Sequence, residues 1–331
     1  MHKVLFIGLG TMGFHMAGHL SKSHDVIVYN RTTSKSHEWM NKYNGGFIEK
    51  LSEIKDELDF VVSCIGNDGD LIDITTSEKG CFNYLNKNSI FIDHSTVSPQ
   101  VVKSIENEAS QKSIHFLDAP ISGGEAGAIN GALSIMVGGN IDHFNLAEKL
   151  MSAYGKKIKY MGETGSGQLT KIINQICIAG LVQGLSEAVY FMKQTDLNAD
   201  DVLEVISSGA AQSWQLDNRL KTMVEDKFDF GFAVDLMRKD LGIAFNQASE
   251  FGIDLEVTKI VDQFYSDLSV INEEGKELKR KIVFVNEPLI FNELVIYQTD
   301  WDIVGIKLKL ENEQNFQIPL KRITKGDLCL K

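Results

Sequence analysis

The sequence predicts three parts: an α/β domain on a parallel sheet over residues 1–163, an all-α domain over 164–275, and an atypical β-rich tail over 276–331. Three observations predict it. In the first half, short and nearly continuous apolar runs alternate with helix-length amphipathic stretches, the pattern of strands covered on both faces by helices. From about Gly165 to Gly275 the strand signal disappears and the apolar residues recur at helical spacing. After Gly275 a strand-like alternation returns and the charge reverses: residues 276–331 carry ten basic and eight acidic side chains, whereas the whole chain of 331 residues has a formal charge of −12.

Taken in order, the expected strands are Lys3–Ile7, Asp25–Tyr29, Phe60–Ser63, Ile90–Asp93, His115–Ala119 and Leu133–Val137. Between them lie helical stretches such as Gly13–Ser23, Thr33–Lys42 and Pro99–Lys112, the last opened by Ser98 as N-cap with proline at the first helical position. Thr170–Thr195 reads as one long helix, apolar enough to be buried on most sides. Asn174, Gln175, Gln183, Ser186 and Glu187 interrupt it, which argues against a membrane span. Further helices are expected at Asp200–Ser208, Ser213–Val224, Val234–Phe251 and Leu255–Leu268. Tail strands are expected at Lys281–Asn286, Leu294–Thr299, Ile303–Leu310 and Phe316–Leu320, with Pro288 and Pro319 at breaks.

Composition excludes several classes of function. Hydrophobic residues are 43% and charged residues 24%, so the chain is expected to fold rather than remain disordered. Its acidic balance opposes binding to nucleic acid, which needs a basic field over the phosphates. The apolar run Val4–Ile7 is too short for a secretory signal, and no membrane partner is expected. The four cysteines at 64, 81, 177 and 329 form no CxxC pair, which excludes a zinc ribbon or disulfide scaffold and points to reduced thiols in the cytoplasm. His15 and His19 stand four apart on a helix, but no third ligand is evident, so no metal site is expected.

Gly8-Leu9-Gly10-Thr11-Met12-Gly13 is a GxGxxG that follows a strand and opens a helix. The first glycine permits the tight turn, the second lets backbone approach a pyrophosphate, and the third lets helix and strand pack closely. This is the signature of a Rossmann-type dinucleotide site. The next discriminating position ends the second strand, where a carboxylate would accept the ribose 2′-hydroxyl and repel a 2′-phosphate. Asn30-Arg31-Thr32 stands there instead, followed by Thr33 and Ser34. A guanidinium with amide and hydroxyl neighbours suits a phosphate, which points to NADP in preference to NAD. The bland reading is that Arg31 is a solvated charge stacking on adenine.

Three further segments complete a pattern. Asp118-Ala119-Pro120-Ile121-Ser122-Gly123-Gly124 is followed by Ala126-Gly127-Ala128 and Met136-Val137-Gly138-Gly139. Gly165-Ser166-Gly167-Gln168 precedes Lys171, Asn174 and Gln175, and Lys239-Asp240 lies in a later helix. With the glycine loop, these closely resemble the β-hydroxyacid dehydrogenase family, which includes 3-hydroxyisobutyrate dehydrogenases, tartronate semialdehyde reductases and glyoxylate/succinic semialdehyde reductases. The resemblance runs over about residues 1–268.

It implies a Rossmann-type domain followed by a helical one, and hydride transfer between a nicotinamide and a short β-hydroxyacid or semialdehyde. Such chemistry needs a positioned acid/base group, and the resemblance gives that role to Lys171. Ser122, Gly123 and Gly124 match the family's substrate-binding turn. Asn174 and Gln175 lie on nearly the same helix face as Lys171, and one of them matches the family's orienting amide. Thr96 matches a position near the nicotinamide ribose, and Lys239 a lysine that reaches cofactor or substrate, with Asp240 holding it. Cys64-Ile65-Gly66 is expected to line the cofactor by its backbone, with the Cys64 thiol as packing. Homodimers or homotetramers are common in the family, and the long helix suits such an interface.

The ending departs from the pattern. Family members close with a glycine and an Asp-Thr-Ser-like stretch that starts a last helix, whereas here Tyr265-Ser266-Asp267-Leu268 runs into Ser269-Val270-Ile271-Asn272-Glu273-Glu274-Gly275. Residues 284–301 faintly resemble extracytoplasmic segments of cytochrome c-biogenesis membrane proteins, which would make the tail a fused segment. Two alternatives stay open: an imine reductase-like enzyme, a group that shares the fold and typically lacks the lysine, and a non-catalytic dinucleotide-binding module.

Overall fold

The computed structural model describes residues 1–55, 57–228 and 233–264, and beyond them the backbone of seven strands between Ser266 and Leu330. The residues fall into two compact units, Met1–Gln175 and Ile176–Lys331.

The first unit runs β1 (Lys3–Ile7), α1 (Gly13–Leu20), β2 (Asp25–Tyr29), α2 (Thr33–Met40), β3 (Gly46–Ile48), β4 (Phe60–Ser63), α3 (Asp68–Thr75) and β5 (Ile90–Asp93). It continues α4 (Pro99–Gln111), β6 (His115–Asp118), β7 (Ile121–Ser122), α5 (Gly124–Ile129), β8 (Leu133–Gly139), α6 (Ile141–Met151), β9 (Gly155–Gly162) and the start of α7 (Ser166–Met192). The sheet order is β3-β2-β1-β4-β5-β6-β8-β7, with β9 also on β8. From β3 to β6 all pairs are parallel, and β8 joins β6 antiparallel. Successive strands lie to one side of β1 and then to the other, so β1 and β4 flank the switch point where such sheets bind ligands at their carboxyl ends.

Alternation along the strands builds the two faces. Val4 and Phe6 pack with Met16, Ala17 and Leu20 of α1 and with Ala147, Leu150 and Met151 of α6. Leu5 and Ile7 point the other way, toward Leu71 of α3 and Val101, Val102, Ile105 and Ala109 of α4. All four of these β1 side chains are essentially buried, which is why the strand reads as a continuous apolar run. Helix starts are capped as the sequence suggests: Ser98 Oγ accepts from Val101 N at 3.2 Å beside Pro99. The sequence pattern misses β3, β7 and β9. The first two are three and two residues long, and β9 carries Lys156, Lys157 and Lys159 on a partly exposed strand.

A buried tie crosses the carboxyl edge of this sheet. His94 Nδ1 donates to Ala119 O at 2.6 Å, so Nε2 is the unprotonated nitrogen and accepts from Tyr154 Oη at 2.8 Å. Both rings are almost completely buried. The tie therefore joins the ends of β5 and β6 to the turn before β9.

The second unit continues α7 and adds α8 (Ala199–Ser207), α9 (Trp214–Val224), α10 (Val234–Glu250) and α11 (Glu256–Gln263). Asn198 and Ser213 cap α8 and α9 through their side chains. Leu185, Val189 and Met192 of α7 pack on Leu216 and Leu220, while Ala179 packs with Met237, Leu241 and Val261. Two expectations are corrected here. The helix expected to reach Leu268 stops at Gln263, and Ser266–Ile271 forms β10, paired antiparallel with β11 (Glu277–Val283). Alternating apolar residues in Ser-Asp-Leu-Ser-Val-Ile suit a strand better than a helical stripe. The long helix is also less buried than its composition suggests: Ile173, Leu181, Tyr190 and Phe191 are 63%, 47%, 60% and 72% exposed in the single chain. By length and composition alone it is long and apolar enough to cross a membrane, but apolar composition does not say what covers a helix.

The remaining strands are β12 (Leu289–Phe291), β13 (Leu294–Tyr297), β14 (Gly305–Lys309), β15 (Asn315–Thr324) and β16 (Asp327–Leu330), in one antiparallel sheet in that order. Pro319 lies inside β15 rather than at a break. It is the last β15 residue paired with β14, and pairing with β16 begins at Leu320, so the missing N–H falls where the strand changes partners. Pro288 and residues 284–286, 298–299, 303–304 and 310 of the expected strands lie outside the described residues.

Burial pushes the His94 imidazole down to about 4 from its ordinary 6.5. It is neutral in the folded protein, while the unfolded chain takes up a proton as pH falls below 6.5. Its stabilising contribution is therefore full above 6.5 and lost as pH falls toward about 4, on the order of 3 kcal/mol across that window. Denaturation curves of wild type and His94→Gln are expected to converge from pH 7 to pH 4, since only the wild type carries this proton linkage. A difference between the two that stays constant with pH would contradict it.

Candidate active site

The glycine loop follows β1 and opens α1. Gly8 has φ of +99°, and a Cβ there would run into the carbonyl of Cys64; one on Gly13 would run into Gly8 O and the Phe6 ring. Both glycines are thus required by packing. At Gly10 a Cβ would meet nothing within 4 Å, which leaves open space above the loop. A switch point in the sheet, a glycine loop with room over it and a helix start behind it together fit a dinucleotide pyrophosphate. Thr11 is exposed, and Met12 packs against the first core.

The loop is held from the side by Asn30. Its Oδ1 accepts from Leu9 N at 2.9 Å and its Nδ2 donates to Thr32 O at 3.0 Å, so this amide fixes the backbone next to Arg31. Arg31 itself is exposed and Nη1 donates to Asp70 Oδ1 at 3.0 Å. On the other side of β1, Cys64 N donates to Ile7 O, Ile65 N donates to Ser95 Oγ at 2.9 Å, and Gly66 is exposed. Thr96 follows β5 and is half-buried.

A second cluster forms where β7 meets the first turns of α7. Lys171 is buried, with Nζ 2.8 Å from Ile121 O. Next to Ile121, Ser122 Oγ donates to Asn174 Oδ1 at 3.2 Å, and Asn174 Nδ2 donates to Gln175 Oε1 at 2.7 Å. Gln175 is 1% exposed, whereas Asn174 is half-buried. Gly123 and Gly124 have φ of +130° and +60° and are exposed, so the turn beside Ser122 presents backbone rather than side chain. Lys239 lies on α10 in the second unit, 3.1 Å from the buried carboxylate of Asp240.

These residues hang on groups to which the sequence reading gave no role. Asp118 is fully buried; Oδ1 accepts from Gly165 N at 2.8 Å and Oδ2 from Gln168 N at 2.9 Å, clasping the start of α7. Gln168 Nε2 donates to Ser95 O at 2.8 Å and Oε1 accepts from Val97 N at 3.2 Å. Ser95 Oγ and Ser63 Oγ both donate to Asp93 Oδ1, at 2.6 and 2.7 Å. The signal available in the sequence was a polar residue closing each of three strands with apolar centres: Ser63, Asp93 and Asp118. Among the described residues no group of His, Cys, Asp or Glu could hold a metal ion. His19 Nε2 lies 3.1 and 3.0 Å from Ala128 O and Ile129 O, joining α1 to the end of α5.

Two family models match the chain: the NAD binding domain of 6-phosphogluconate dehydrogenase over residues 3–162, and the NAD-binding of NADP-dependent 3-hydroxyisobutyrate dehydrogenase over residues 165–282. An uncharacterized oxidoreductase of Shewanella frigidimarina is 49% identical over 272 residues, 82% of this chain and 94% of that protein. A protein of Arabidopsis thaliana named probable 3-hydroxyisobutyrate dehydrogenase-like 1, mitochondrial, is 34% identical over 273 residues, covering 82% of this chain and 81% of its own. The chain belongs to the β-hydroxyacid dehydrogenase family.

Its fold agrees with that membership. The 3-hydroxyisobutyrate dehydrogenase of Mycobacterium tuberculosis, solved with L-serine, superposes with a TM-score of 0.72 at 24% identity, over 80% of this chain and 92% of that one. As a β-hydroxyacid dehydrogenase the protein is an NAD(P)-binding oxidoreductase.

Burial pushes the Asp118 carboxyl up to about 7, against the pull of the Gly165 and Gln168 N–H groups, and Asp93 nearby adds to the rise. In Asp118→Asn only one atom can accept, and the amide NH2 would face the other N–H. That variant is expected to lose about 1–3 kcal/mol in chemical denaturation. Its affinity for the nicotinamide cofactor should stay near wild type, because the glycine loop is held by other contacts. Unchanged stability would show that the clasp on α7 carries no weight.

Proposed function

We propose that this protein is an NADP-preferring β-hydroxyacid dehydrogenase that works as a reductase on a short semialdehyde or ketoacid, with Lys171 as the general acid/base. The observation that carries the reading is the Lys171 cluster: a buried lysine 2.8 Å from Ile121 O, beside a serine–glycine turn and a linked amide pair. In support, relatives bear the names of hydroxyacid dehydrogenases, and one matching family model is described as NADP-dependent.

A nicotinamide cofactor, when bound, would supply the hydride for the carbonyl carbon. Lys171 gives a proton from Nζ to the carbonyl oxygen during reduction and takes it back from the hydroxyl during oxidation. The carbonyl of Ile121 steers the ammonium so that a second N–H can point at the substrate. Ser122 and the backbone of Gly123 and Gly124 hold the substrate carboxylate, and Asn174, oriented by the buried Gln175, binds its polar groups. Arg31 and Thr32 would take the 2′-phosphate, while Cys64, Ile65, Gly66 and Thr96 would line the ribose and nicotinamide, and Lys239, held by Asp240, is assigned to cofactor binding. We assign residues 1–163 to cofactor, 164–275 to substrate and assembly, and the protein to the cytoplasm.

Absorbance of reduced nicotinamide, followed with NADPH and NADH separately against glyoxylate and the succinic, methylmalonic and tartronic semialdehydes, tests the reading. Faster turnover with NADPH and one clear best substrate is expected. Lys171→Ala should lower turnover by roughly 10²–10⁴-fold while still binding NADPH. Near-full turnover in that variant would overturn the mechanism, and faster turnover with NADH would overturn the cofactor preference.

The assembly is a homodimer or homotetramer. The exposed side chains of Ile173, Leu181 and Phe191 on α7 support it, since a contiguous apolar face is seldom left in water. Light scattering should give a multiple of the 36.9 kDa chain mass, and Leu181→Glu should shift it toward the monomer. A wild-type monomer would refute the assembly.

A further inference from the structure

The loops after β2 and after β4 stand on either side of β1, because β1 pairs with both strands in parallel. Arg31 belongs to the first loop. Asp70 lies in the first turn of α3, which grows out of the second. The 3.0 Å ion pair between them therefore spans the carboxyl end of β1, where the glycine loop leaves its open space. Two features show that Asp70 is held for this contact. Its Oδ2 accepts from Asn67 Nδ2 at 3.1 Å, and its backbone N–H donates to Asn67 Oδ1 at 2.9 Å. Gly66 beside it has no side chain to intrude; a Cβ there would come 3.1 Å from Asp70 Oδ2. Asp70 is the fixed partner at 26% exposed, while the Arg31 side chain is 85% exposed and able to swing.

We propose that Asp70 is a specificity-determining residue: its carboxylate latches Arg31 across the mouth of the dinucleotide cleft, and a 2′-phosphate must displace it to bind. This rests on the reading that Arg31 receives that phosphate. An exposed ion pair is weak enough to be exchanged, and a phosphate offers the guanidinium a stronger, two-pronged partner. The exchange leaves a carboxylate beside a phosphate, so Asp70 holds NADP affinity below what Arg31 alone would give. NAD carries no such phosphate and leaves the latch closed. The residue at the end of β2 that ordinarily favours NAD is an asparagine here, so the carboxylate opposing NADP arrives from α3.

The test is binding, independent of substrate. Purified wild type, Asp70→Asn, Asp70→Ser, Arg31→Ala and the Arg31→Ala/Asp70→Asn double variant are titrated with NADPH, NADH, 2′,5′-ADP and 5′-AMP, with a thermal melt on each. Asp70→Asn and Asp70→Ser are expected to bind NADPH and 2′,5′-ADP roughly three- to tenfold more tightly, while NADH and 5′-AMP stay within about twofold. The gain should vanish in the double variant, because without Arg31 there is no latch. If Arg31→Ala weakens NADPH but neither Asp70 variant tightens it, the latch is wrong and the NADP reading stands. If Arg31→Ala leaves NADPH binding unchanged, the NADP reading fails and takes the latch with it. Weaker NADH binding by both Asp70 variants with an unchanged melt would overturn the latch in favour of Asp70 binding the ribose.

Discussion

The Asp118 carboxylate is buried at the end of β6 and binds two backbone N–H groups at the start of α7. This contact sets where that helix begins and thereby where Lys171 falls, one turn further along. A helix of this length could start a residue earlier or later at little local cost, because one residue more or less adds or removes a single backbone hydrogen bond. The clasp removes that freedom. Gly167 lets it form: a Cβ there would come 2.7 Å from both Asp118 Oδ2 and Asp118 O.

Behind the clasp the polar groups continue inward. Gln168 bonds to the backbone of Ser95 and Val97, and Ser95 to Asp93, which also receives Ser63. These residues end β4, β5 and β6, so one hydrogen-bonded seam joins three parallel strands to the helix of the candidate catalytic lysine. Buried polar groups are costly when unmatched and rigid when matched. Next to the seam, His94 and Tyr154 add a neutral bridge to the turn before β9. The cofactor loop is fixed in the same manner, from the side, by the Asn30 amide on Leu9.

The same edge of the sheet therefore carries two kinds of contact. The seam is buried, and it holds the start of the helix that carries Lys171 and Asn174. The Arg31–Asp70 pair is open to water, and its guanidinium is free to turn. In the proposed mechanism, rigidity lies where a proton would have to be placed to within fractions of an ångström, and looseness lies where a cofactor would enter.

Much of this was legible in the sequence. The strand runs Lys3–Ile7, Asp25–Tyr29, Phe60–Ser63 and Ile90–Asp93 coincide with β1, β2, β4 and β5, because strands buried on both faces are apolar without interruption. The glycine loop and the order of motifs that mark the family were readable for a similar reason: each encodes a local backbone demand. The helix expected to run to Leu268 was not, since the choice between helix and strand at Ser266–Ile271 rests on pairing with residues 277–283. Burial of the long helix was misjudged because composition records how apolar a face is, not whether another surface meets it. Nor could the sequence show that Asp118 holds α7, or that Arg31 and Asp70, 39 positions apart, form a pair. Local periodicity and backbone sterics act within a few residues and are written in the chain. Contacts between the ends of separate strands depend on sheet order, and only the folded structure decides them.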